Sequence, residues 1–324
     1  MKFHRSSLRA LALAASIPVL CSLAPGNPRT IADKPAQGSN TSKGQSALRI
    51  PFEISEGGHI FLRARVNRSE PLWFGLDSGA EQTMISLKQA KALKLRLQGD
   101  MQAAGGGEET VDFSITRNVS FSLTGIDFVL SEVGVLPLDF SSPVAGQAIG
   151  GLLGYDFISR YVVEIDYAEQ VINLYNRRTY RYRGRGEVIA ISTIDNNPYI
   201  PARVLFPGLA PFNVMLLIDS GADTELFFNS PFVNKRRLLT ARQETTEAST
   251  LGIGGASKIR IGKATSIQIG SAVIADPVVH FSLATKGDSA STVEPGFIGG
   301  KLLRRFKKVI FDPTRRRLIL EPNS

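Results

Sequence analysis

The chain repeats itself, and that repeat limits its fold more than any other feature. LWFGLDSGAEQTMIS at 72–86 returns as VMLLIDSGADTELFF at 214–228, which sets Asp77 and Asp219 142 residues apart. GLLGYDFISRYVVEIDYAEQVINLY at 151–175 returns as GFIGGKLLRRFKKVIFDPTRRRLILE at 296–321, with Gly154 matching Gly299. Between these landmarks each half carries one glycine-rich stretch, Gly105–Gly107 and Gly252–Gly255. Chance gives Asp-Ser-Gly twice; it does not readily give three landmarks in the same order at nearly the same spacing. We read two similar lobes, 48–176 and 187–324, joined by an Arg-rich stretch at 177–186.

Within each half, short runs rich in Val, Ile, Phe and Leu alternate with Gly, Pro, Asn, Asp and Ser, so the lobes are predicted to be mainly β. Strands are expected at His59–Val66, Pro71–Leu76 and Val188–Ile194. Short helices are expected at Leu87–Leu95, capped by Ser86, and at Pro231–Leu239, with Ser230 as N-cap and Pro231 in the first helical position.

The start of the chain is different in kind. Lys2, Arg5 and Arg9 precede an apolar run from Leu11 to Leu20, which predicts a secretory signal over 1–26 and an exported, periplasmic or secreted protein. The run is too short for a permanent bilayer span. Leu20 before Cys21 argues against a lipoprotein site. Residues 27–47, with Pro28, Pro35, Gly38 and Gly44, read as a flexible spacer.

Several chemistries are excluded. Cys21 is the only cysteine and the three histidines are His4, His59 and His280, so neither a disulfide framework nor a Cys- or His-rich metal site is expected, and no cofactor. No nucleophile elbow, phosphate loop or zinc-protease motif occurs. Carboxylates remain. Each Asp-Ser-Gly-Ala follows an apolar run, which places Asp77 and Asp219 at the ends of buried strands on tight turns. Gly79 and Gly221 admit a backbone turn that a Cβ would obstruct. Ser78 and Ser220 supply hydroxyls to hold the turn or the other lobe's backbone. One such turn is an ordinary Asx turn; two allow a pseudo-twofold site with the carboxyls face to face. Carboxylates in contact share a proton, as in the aspartic-protease dyad that serves as the standard example. The ionised member takes a proton from water while the protonated one hydrogen-bonds a carbonyl oxygen.

These residues resemble the aspartic peptidases of the retropepsin and pepsin type, and more narrowly the exported bacterial aspartyl protease family with retropepsin-like lobes. The resemblance rests on apolar-apolar-Asp-Ser-Gly-Ala at 74–80 and 216–222. It is reinforced by Leu152-Leu153-Gly154 and Phe297-Ile298-Gly299, which match the element that crosses beneath the catalytic turn. It implies two β lobes, closed or orthogonal barrels with short helices, around a cleft. It implies that Asp77 and Asp219 are the catalytic pair, braced by Ser78, Gly79, Ser220 and Gly221. Gly105, Gly106, Gly107, Gly252, Gly254 and Gly255 are then flap residues that close over an extended protein or peptide substrate. Two departures stand out: AAGGGEETVD at 103–112 lacks the tyrosine of a pepsin flap, and Ala80 and Ala222 replace the hydroxyl residue common in pepsins. The missing hydroxyl predicts a less acidic optimum.

The net charge of +9 is partly leader and is no evidence of nucleic-acid binding. Arg177, Arg178, Arg181, Arg183 and Arg185, interleaved with Tyr180 and Tyr182, are expected to form a solvated linker with at most a weak polyanion contact. Trp73 is expected in the core, and His59 and His280 as ordinary strand residues. The sequence thus supports an aspartic endopeptidase acting as a monomer with intramolecular lobe pairing. A non-catalytic peptide-binding or polyanion-binding envelope protein on the same fold is the alternative.

Overall fold

The computed structural model describes residues 15–16, 47–138, 148–239 and 244–323; the predicted leader and spacer fall almost wholly outside them. Each half builds the same strand arrangement. In the first, Ile60–Val66 runs antiparallel to Leu72–Leu76, which lies parallel to Ile149–Leu153. Ile149–Leu153 pairs antiparallel with Met84–Ser86, itself parallel to Ile126–Leu136. In the second, Asn197–Leu205, Phe212–Asp219, Gly296–Gly299, Leu226–Phe228 and Val278–Ser282 follow in that order with the same senses. The residues just before both Asp-Ser-Gly turns are apolar and buried on both faces, 73–76 in the first strand and 216–218 in the second, whereas Asn213 and Met215 earlier in the second strand are exposed. The protein is mainly β with two lobes of like strand order, as the repeat predicts. A two-residue strand, Ala15–Ser16, pairs with Leu251 and Thr250 at the edge of the second lobe. Among the described residues no helix is long and apolar enough to cross a membrane.

A third sheet joins the halves. Its six strands run in the order Glu187–Ala190, Arg317–Pro322, Phe306–Asp312, Val162–Asp166, Val171–Tyr175, Leu48–Pro51. Every pairing is antiparallel, and the central one sets Glu164 opposite Ile310 and Ile165 opposite Val309. Three strands come from each half. Lys308 crosses the seam to Glu164 Oε1 (3.0 Å) and Asp166 Oδ2 (3.1 Å).

Local expectations hold with adjustments. Ser86 caps the helix Leu87–Ala92, accepting from the Gln89 N–H; the helix stops early because Leu93 caps it and Lys94 turns to φ 53°. The second helix is Ser230–Arg236 and its N-cap is Asn229, one residue before the predicted Ser230. The Ser230 hydroxyl instead donates to the Ala284 carbonyl, and Arg237 ends the helix at φ 52° so that Leu238 turns into the core. The run Val188–Ile194 is not one strand. Glu187–Ala190 belongs to the shared sheet and Ser192–Ile194 to the second lobe, with the chain crossing at Ile191. The Arg-rich stretch is half anchored: Tyr180 is buried against Val162, Ile310 and Ile319, and the Tyr182 hydroxyl bonds Glu321 Oε1. Its arginines face outward.

Candidate active site

Asp77 and Asp219 end equivalent strands, and the turns after them interlock. The Ser78 N–H donates to Ser220 Oγ and the Ser220 N–H to Ser78 Oγ, each at 3.0 Å. The Ser78 hydroxyl then donates to the Ile218 carbonyl (2.7 Å) and the Ser220 hydroxyl to the Leu76 carbonyl (3.0 Å). Each serine therefore uses its hydroxyl once as acceptor and once as donor, always on the other lobe. Four such bonds in a dry interior fix the turns relative to each other. A Cβ on Gly79 would lie 2.7 Å from Asp219 Cγ, and one on Gly221 2.5 Å from Asp77 Cγ. Glycine is required here for close approach, since each opposite carboxyl occupies that space. Beneath the turns, Tyr155 N–H reaches the Ala80 carbonyl and Gly300 N–H the Ala222 carbonyl, both at 2.8 Å. A Cβ on Gly154 would strike the backbone of Gln82, and one on Gly299 that of Thr224. The Leu-Leu-Gly and Phe-Ile-Gly elements thus cross beneath the turns as expected.

Both carboxyls are fully buried. Asp77 Oδ1 accepts from the N–H groups of Gly79 (2.9 Å) and Ala80 (3.1 Å), and Asp219 Oδ1 from that of Gly221 (2.9 Å). Oδ2 of each receives no donor from the rest of the protein. The carboxyls lie within hydrogen-bonding reach of each other, so a proton between them is the partner each lacks. Burial pushes Asp77 up to about 6 against the opposing pull of its two backbone N–H groups. Burial and the negative charge of Asp77 hold Asp219 well above the usual carboxylate range. The pair is therefore built to hold one proton around neutral pH. Among the described residues no group of three or more His, Cys, Asp and Glu is placed to hold a metal ion.

The glycine-rich stretches of the two halves meet each other. Gly105–Gly107 lies between the strands Gln98–Ala103 and Val111–Leu123; Gly252, Gly254 and Gly255 form the turn between Thr246–Gly252 and Gly255–Lys263. The Gly107 N–H donates to the Ile253 carbonyl and the Glu109 N–H to the Gly254 carbonyl, both at 2.9 Å. Side chains on Gly107 or Gly254 would collide with the facing backbone. Two parts of this closure were not legible in the sequence. Ile253, from the second lobe, is buried among Phe61, Trp73, Met84, Phe113 and Leu136 of the first. The segment Thr285–Ser289 grips the first glycine-rich stretch: Asp288 N–H on the Gly105 carbonyl (2.9 Å), the Ser289 hydroxyl on the Gly106 carbonyl (3.0 Å), Thr285 N–H on Glu108 Oε1 (2.8 Å). An apolar residue between glycines was a readable signal for the first; nothing signalled the second.

Trp73 is buried, with the Arg63 guanidinium 3.8 Å above its ring. His59 precedes its strand rather than lying in it, and His280 sits opposite Phe227. Burial, then the Lys301 charge, lowers both to about 4, so both are neutral at neutral pH.

Residues 62–157 match the family model described as Aspartyl protease, a stretch that contains the first Asp-Ser-Gly-Ala turn, the glycine-rich stretch Gly105–Gly107 and Gly154. No curated protein matches the chain. The match makes the first lobe retropepsin/pepsin-like by sequence; the second repeats its strand order, turn and crossing element.

Proposed function

We propose that this retropepsin/pepsin-like chain is an aspartic endopeptidase in which Asp77 and Asp219 activate one water between them. The observation that carries this reading is the reciprocal packing of the two turns, which sets two buried carboxyls against each other with one oxygen of each unserved. In this role the ionised carboxylate removes a proton from water as it attacks an amide carbon. The protonated partner donates to the amide oxygen, and a proton passes to the leaving nitrogen. The flanking Ser78, Ser220, Gly79 and Gly221 position the pair. The substrate is an extended peptide, bound by main-chain hydrogen bonds beneath the flaps. It enters only when the contacts of Gly107 and Glu109 with Ile253 and Gly254 separate. We further read the chain as a monomer, exported on its basic and apolar N-terminus.

The test is cleavage of a mixed peptide library by wild type, Asp77→Asn and Asp219→Asn. The expected result is internal cleavage by wild type and a loss of at least a thousandfold in each variant. Peptide retention without cleavage by folded wild type would favour a binding protein on this fold instead.

A further inference from the structure

Away from the cleft, the structure gathers arginines that the proposed chemistry does not use. A cavity of about 390 Å³ is bordered by Arg160, Arg177 and Arg178, with Tyr161, Tyr175 and Leu48 among its walls. Arg177 also borders a second cavity, of about 570 Å³, with Arg316 and the hydroxyl residues Ser159, Ser192, Thr193 and Thr314. No Asp or Glu lines either one. None of the four arginines takes part in a salt bridge among the described residues. Two carboxylates of the same half are already engaged. Asp156, which feels Arg160, accepts from the Thr83 N–H and hydroxyl, and Glu164 holds Lys308 and Asn173.

The arginines are also held in place. Arg177 donates to the Ser159 carbonyl (3.2 Å) and Arg160 to the Val129 carbonyl (3.2 Å). The Asn176 side chain accepts from the Arg178 N–H, and Arg181 donates to the carbonyls of Arg178 and Tyr180. The bonds of Arg160 and Arg177 go to neutral carbonyls rather than to carboxylates. Guanidinium forks beside hydroxyl donors match tetrahedral oxyanions. Tyr175 and Tyr161 are already engaged in tilted ring contacts, with Tyr180 at 4.9 Å and Phe157 at 5.9 Å. The guanidinium charges are therefore the main recognition element of the site, and the DNA comparison below tests whether stacking contributes.

We propose that the two cavities flanking Arg177 form one anion-binding groove, distinct from the cleft, that takes a flexible polymer of closely spaced phosphate or sulfate groups. Arg160 and Arg178 contact one stretch of it, Arg316 the next, and Arg177 bridges them. The same chemistry is carried by polyphosphate and by a sulfated glycan, and the experiment separates these.

The experiment is fluorescence-anisotropy binding of the full chain to labelled linear polyphosphate and, separately, labelled heparin fragments. It compares 50 and 200 mM salt, with a single-stranded DNA of equal charge alongside. We expect binding to at least one of the first two, weakened at least tenfold at the higher salt, and the tighter of them identifies the source. Arg177→Gln with Arg178→Gln is expected to weaken it at least tenfold and to lower the salt slope by about two, one per arginine. Arg183→Gln with Arg185→Gln removes the same charge from exposed positions outside both cavities and is expected to change affinity less than threefold. Thermal unfolding of each variant checks the fold. No binding to either polymer, equal losses in the two double variants, or tighter binding to the DNA would each overturn the proposal.

Discussion

At Gly79 and Gly221 one methyl group separates an assembled site from a blocked one. Alanine at either position puts a Cβ within 2.7 Å or less of the opposite carboxyl carbon. We expect Gly79→Ala and Gly221→Ala to lose at least a hundredfold in peptide cleavage and about 1–3 kcal/mol in urea unfolding. The carboxyls also carry a pH signature in stability. Asp77 and Asp219 hold protons in the folded state at pH values where the unfolded chain has released them. Stability is therefore expected to fall as pH rises from about 4 through about 6 and beyond. Asp219→Asn removes its own part of that cost and is expected to be more stable than wild type at pH 7.5, with the gain vanishing near pH 4. An unchanged gain at both pH values, measured by denaturant unfolding, would contradict the buried, proton-holding pair. The residues of this site were legible because chemistry demanded them twice. A lone Asp-Ser-Gly is a turn; the second copy, with its own Gly crossing beneath, turned a local signal into a long-range one.

The two glycine-rich stretches, which we propose as flaps, close on each other as elements rather than as separate glycines. Both carry positive signals in the sequence, yet only one carries a large apolar tip. Ile253→Ala leaves the closing hydrogen bonds of Gly107 and Glu109 in place but removes the side chain that seats the second flap in the first lobe. We expect closure to weaken by about 2 kcal/mol. That appears as a roughly thirtyfold rise in hydrogen exchange at the Gly107 and Glu109 amides, and unchanged exchange would assign closure to the backbone contacts alone. Elements with strong local signals were read within a few residues. The helix after Ser86 had its cap, and the helix at Pro231 had its proline. The miss at Asn229 came from a tertiary bond, the Ser230 hydroxyl turning to Ala284. Likewise the grip of Thr285–Ser289 on the first flap joins segments far apart in the chain, which no local pattern encodes.

At the scale of the molecule, the repeat announced two lobes but not the sheet they share. Repeated segments predict like folds; here they also pair with each other, Val162–Asp166 against Phe306–Asp312. Lys308 is the charge at that seam. Lys308→Ala strands Glu164 and Asp166, both nearly buried, and is expected to cost about 2–3 kcal/mol, with Lys308→Arg retaining most of the stability in urea unfolding. The shared sheet brings the two turns together, and one pair with one proton is the consequence. Carboxyl carbon NMR of the aspartates from pH 3 to 9, in wild type and in Asp77→Asn, tests this most directly. Asp219 is expected to titrate well above the usual carboxylate range in wild type and to fall toward it, though not to it, once the Asp77 charge is gone and burial alone remains. An Asp219 that titrates near 4 in wild type, or that ignores the loss of Asp77, would contradict a single site assembled from both halves of the chain.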